Sequence, residues 1–152
     1  MAHETSSSQS NAPQINTGRL KHLEMLQQVI TRMTSNSFLV KGWSVTLLSA
    51  ILVMTAKDKV YAMGWVAVVP IAAFWLIDGF FLREERLFRK LYDCYRSQPQ
   101  DTPTDFSMDT SIVAKGVGSW GKMMVSKTLL IFHGGLAILL GIVLALSQQK
   151  LI

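Results

Sequence analysis

The sequence predicts an all-α membrane protein with three transmembrane helices. The first two form a helical hairpin extended into the cytoplasm, and an N-terminal amphipathic helix precedes them. Three observations carry this reading. Of the 152 residues, 49% are hydrophobic and 16% charged, whereas an ordinary soluble domain carries about 25% charged residues. The apolar residues are clustered, with no charge over 42–56, 60–77 or 128–146, and about 20 mostly apolar residues suffice to cross the hydrocarbon core as a helix. The basic residues are also asymmetric. Twelve of the 15 Lys and Arg fall in the N-terminal segment through Lys41 or in 83–127, leaving Lys57, Lys59 and Lys150 elsewhere.

Residues 1–17, MAHETSSSQSNAPQINT, have no apolar core and read as a disordered polar tail rather than a cleavable signal. Residues 18–35 place Leu20, Leu23, Leu26, Ile30 and Met33 at steps of three and four, an amphipathic cytoplasmic helix. Thr34-Ser35-Asn36-Ser37 is expected to interrupt it and cap the next helix. Residues 36–97 form the hairpin, with spans at about 38–56 and 60–82 joined by a tight turn at Lys57-Asp58-Lys59. The second helix should continue past the membrane, because LREERLFRKLYDCYR lacks Gly and Pro and keeps an apolar stripe at Leu87, Leu91 and Tyr95. Residues 98–127 hold a polar loop and a Gly- and Lys-containing interfacial segment, and 128–152 the third span and a short tail.

Positive residues stay cytoplasmic. The expected location is therefore the bacterial inner membrane, multi-pass, with the N-terminus cytoplasmic and the C-terminus outside. The pI near 9.6 then follows from topology and contact with anionic membrane lipid, and gives no reason to invoke nucleic acid. The single Cys94 forms no internal disulfide. Trp43, Trp65, Trp75 and Trp120 are candidate interfacial anchors.

No residue set predicts a catalytic, cofactor or metal site. Gly116-Val-Gly-Ser-Trp-Gly121 matches G-x-G-x-x-G, but no βαβ unit surrounds it. Asp105 and Asp109 lack the glycine and terminal glutamate of a calcium loop and read as turn and cap residues. His133, about six residues into the third span, is a candidate pH-sensitive group, or a neutral imidazole bonded across a helix contact. Gly134, Ala137, Gly141 and Ala145 form a small-residue packing stripe, within the chain or between subunits.

Asp78 is the least expected residue, a carboxylate inside an apolar run. Lys41 lies 17 residues before Asp58, and Asp78 lies 20 after it. At 1.5 Å per residue their depths in a hairpin differ by only about 4–5 Å. Lys41 and Asp78 are therefore expected to form an intramembrane ion pair, with Arg83 as the competing partner. Trp43 and Trp75 are level by the same count.

NSFLVKGWSVTLLSA, FWLIDGFFLREERLFRKLYD, DFSMDTS and SWGKMMVSKTLLIFHG resemble the RipA-type small bacterial octameric membrane proteins. That resemblance implies a homo-oligomer of the cytoplasmic membrane and brings no catalytic residues. In architecture the chain is more loosely similar to SLATT-like small membrane effectors, departing from them by its third helix. This second resemblance implies a pore-forming or membrane-disrupting stress or defence effector. The alternative is a non-enzymatic scaffold that docks a cytoplasmic protein partner or organises lipid.

Overall fold

The computed structural model describes residues 17–58, 65–99 and 102–148. The described residues form helices without strands: α1 (Thr17–Asp58), α2 (Val68–Arg96), the short α3 (Ser111–Ala114) and α4 (Trp120–Met124), and α5 (Lys127–Gln148). Two helical stretches, Thr17–Thr55 and Lys127–Leu146, are long and apolar enough to cross a membrane. Only 17% and 22% of their apolar windows are buried inside the chain, so neither resembles the core helix of a soluble domain. Within the described residues α2 does not reach that length of low charge, because Asp78 and then Arg83, Glu84 and Glu85 follow soon after Val68.

α1 and α2 are antiparallel partners along most of their lengths. Leu26 packs in a cluster with Leu87, Leu91 and Val113 at one end, and Leu48 with Ile71, Leu140 and Leu144 at the other. The inward face of α1 recurs at His22, Leu26, Ile30, Met33, Ser37, Lys41, Ser44, Leu48, Ile51 and Thr55. The early steps are four, four and three, about 11 residues per three turns. That period lies close to the helix's own 3.6 residues per turn, so a nearly straight α1 keeps one face on its neighbours.

Two expectations about the elements are corrected. Thr34–Ser37 does not break the chain; α1 is one helix of 42 residues. The hydroxyls that cap helix ends elsewhere are satisfied inside this one, as Thr34 Oγ1 donates to the Ile30 carbonyl at 3.0 Å and Ser44 Oγ to Val40 at 2.8 Å. Lys57 and Asp58, expected in the turn, belong to α1, which runs through Asp58. Lys59, residues 60–64, the tail before Thr17 and residues 149–152 lie outside the described residues.

The second long helix runs from Val68; Trp65 and Val66 before it are also helical with a turn at Ala67, and the expected start at 60 lies outside the described residues. Pro70 sits in the first turn of α2, where a missing N–H is tolerated. The 112–127 segment, expected at the interface, packs within the chain. It folds back on α2 as two short helices, with Val113 and Met123 buried and Met124 against Gly79.

Candidate functional site

Three helices converge on Asp78, which is fully buried. α2 supplies Asp78 and Trp75, α1 supplies Ser37 and Lys41, and α5 supplies His133. Lys41 Nζ lies 2.6 Å from one carboxylate oxygen and 2.7 Å from the other. Ser37 Oγ donates to Oδ1 and accepts from Lys41 Nζ at 2.8 Å. His133 Nε2 stands 3.0 Å from Oδ2, and its side chain is also fully buried.

The surroundings are aromatic. The Trp75 ring stacks on His133 at 5.9 Å with 8° between planes, while its Nε1–H donates to the Met124 carbonyl at 3.1 Å. Phe132 meets His133 edge-on, and Lys41 Nζ sits 5.9 Å from the Phe132 ring centre. Trp75, half-buried, thus holds α2, α4 and α5 together. Trp43, Trp65 and Trp120 are exposed, as an anchor requires.

The acceptor character of Asp78 orients its partners. An ionised Asp78 only accepts, so His133 presents Nε2–H to it. Nδ1 is then the bare nitrogen, and it is buried with no partner among the described residues. The arrangement therefore locks three helices through one carboxylate.

Sequence reasoning missed His133 and Ser37 as partners of Asp78. The depth count used for Lys41 contains a signal: Asp78 lies four residues inside the expected end of its span at 82, and His133 five inside 128. Arg83, the rival partner, is instead 3.2 Å from Glu84. The stripe on α5 is mostly unoccupied within the chain. Gly134 is half-buried, whereas Ala137, Gly141 and Ala145 are exposed. A Cβ built on Gly134 or Gly141 meets nothing within 4 Å. Ala137, Gly141 and Ala145 line an open apolar groove of about 350 Å³ with Trp65, Val68 and Leu140.

A second polar node ties the far ends of α1 and α2. Arg19 donates to the carbonyls of Tyr95 at 3.1 Å and Arg96 at 2.7 Å, a side-chain cap on the C-terminus of α2. His22, buried, bonds through Nε2 to the Ser107 carbonyl at 2.9 Å and lies between Tyr95 and Phe106. Asp105 accepts from the Ser107 N–H at 3.0 Å and the Tyr95 hydroxyl at 3.1 Å. Asp109 accepts from the Ser111 N–H and hydroxyl at 2.8 and 2.7 Å.

The Ser107 N–H holds the Asp105 carboxyl below its usual range, and the Ser111 hydroxyl does the same for Asp109. Depressed carboxyls stabilise the fold above their unfolded pKa and lose that contribution as pH falls through the folded one. Amide exchange at Ser107 and Ser111 is therefore expected to stay slow relative to unstructured amides at pH 5. Protection should be lost only below the ordinary aspartate value of about 3.9. Loss of protection already at pH 5 would contradict these bonds.

No family model, curated protein or solved structure matches the chain.

Proposed function

We propose that the chain is a small polytopic protein of the bacterial inner membrane that self-assembles into a homo-oligomer. In this reading the assembly forms or gates a pore as a stress or defence effector. The chain crosses three times, at about 38–56, 60–82 and 128–146, with the N-terminus cytoplasmic and the C-terminus outside. The observation that carries this reading is the pairing of a locked polar centre with an unfilled packing stripe. Asp78, Lys41 and His133 join the three helices on the inside, while Ala137, Gly141 and Ala145 stay open on the outside. Small residues let a second helix approach closely, and close packing is what drives helix association in lipid. The likeness to RipA-type and SLATT-like proteins points the same way.

The second reading, a non-enzymatic scaffold, is favoured by the cytoplasmic end of the hairpin. There Leu26, Leu87, Leu91 and Val113 form their own core, which could present a partner surface. Neither reading assigns a reaction or a cofactor.

Ion flux from liposomes holding the purified full-length protein tests the choice. The expected result is flux that falls when Gly141→Leu fills the groove, together with loss of the oligomer in size-exclusion chromatography. A sealed vesicle under every trigger, with a stoichiometric soluble protein recovered by affinity purification, would select the scaffold.

A further inference from the structure

Beyond the expected membrane boundary α2 carries Arg86, Arg89 and Lys90 on the side that faces the folded-back 115–124 segment. The three cations and the 116–118 backbone border an open pocket of about 380 Å³. Lys90 Nζ donates to the Gly116 carbonyl at 3.0 Å, which ties the segment to α2. A Cβ on Gly116 would run into that amine, so glycine there keeps Lys90 seated. Arg89 is 2.7 Å from Glu85. Arg86 is exposed, with no ion pair or hydrogen bond among the described residues.

Depth and polarity give the pocket a direction. Trp75 and Gly79 hold Met124 at the level of the end of the span. Arg86 lies about 6 Å beyond Leu82 and Lys90 about 12 Å, at 1.5 Å per residue. The headgroup layer occupies about 5–8 Å of each leaflet, so Arg86 and the stem of Lys90 reach it. The carboxylate in the pocket wall, Asp93, stands at the end farthest from the bilayer and faces Arg96 at 3.5 Å. An anion is thus drawn in from the membrane side. Trp120 and Val125, in the same folded-back segment as the pocket-lining Gly118 and Met123, are exposed, apolar surface suited to acyl chains rather than to a soluble ligand.

We propose that this pocket seats the phosphate of an anionic phospholipid of the inner leaflet, with Arg86 as its free charge partner and Arg89 and Lys90 as the flanking cations. The proposal rests on the membrane reading but not on a pore.

The test is titration of the full-length protein in neutral detergent with short-chain phosphatidylglycerol and, separately, phosphatidylcholine. Bound lipid is read by native mass spectrometry and the thermal midpoint. Preference for phosphatidylglycerol is expected, weakened about five-fold by Arg86→Gln, in line with the usual worth of one cation at an anionic surface. Arg96→Gln, at the far end, should leave it unchanged. Equal loss in both variants, or no preference in the wild type, would overturn the proposal. Displacement by glycerol phosphate would assign the pocket to a soluble anion and overturn it too. A chain that stays in the soluble fraction without detergent would remove the membrane reading and this inference together. A chain that embeds and prefers phosphatidylglycerol without passing ions would remove only the pore.

Discussion

Lys41→Met is expected to destabilise the protein by about 3–5 kcal/mol, because it strands a buried carboxylate. Asp78 would keep only Ser37 and His133 as donors. Asp78→Leu should also destabilise, since Lys41 and the His133 Nε2–H both lose their acceptor. The double variant removes both charges, and its loss should be smaller, about 1–3 kcal/mol for the polar groups left unpaired. Thermal unfolding in detergent, with self-association followed by size exclusion if it occurs, measures all three.

The reciprocal exchange, Lys41→Asp with Asp78→Lys, is more searching. The ion pair across α1 and α2 returns, but the nitrogen of His133 nearest position 78 now meets an ammonium. It can accept only if the imidazole proton moves from Nε2 to Nδ1. Recovery of assembly should therefore be accompanied by a change of tautomer, visible in the ¹⁵N shifts of His133. Single variants that unfold and assemble like the wild type would remove the pair as the pin of helix register.

The second large effect is expected at the end of the hairpin where Leu26 meets Leu87 and Leu91. Leu91 and Leu26 are completely buried, and Leu91→Ala should destabilise by about 2–5 kcal/mol through lost burial and the cavity left behind. The two apolar clusters share no residue, and the Asp78 node lies between them. Hydrogen exchange should accordingly rise first over 19–30 and 84–96, while the contacts around Leu48 and Leu140 stay protected. A uniform rise along α1 would show that the whole helix melts as one unit.

Much of the helical content could be read from the sequence, because long uncharged runs and a 3–4 spacing are local properties. The match in depth between Lys41 and Asp78 needed only the rise per residue and an antiparallel hairpin. What was not legible depends on several elements at once. Ser37 was read as part of a cap because hydroxyl residues favour helix ends. Its place on the inward face emerges only when the polar members His22, Lys41, Ser44 and Thr55 are counted with the apolar ones. His133 could be assigned to Asp78 only with the position of a third helix in hand. The 112–127 segment is short, and its buried residues Val113 and Met123 follow no helical period across the Gly116–Gly118 interruption.

The continuity of α1 has a mechanical meaning. At 1.5 Å per residue its 42 residues make a rod about 63 Å long, roughly twice the thickness of a hydrocarbon core. Lys41 clamps it near the middle, about 36 Å from Thr17 and about 26 Å from Asp58. The Leu26 cluster with the Arg19 and His22 bonds holds it on one side of that point, and the Leu48 cluster on the other. A rod without a hinge, fastened at three levels, is a strut: load applied at one end is shared by all three fastenings rather than absorbed by a bend in the helix.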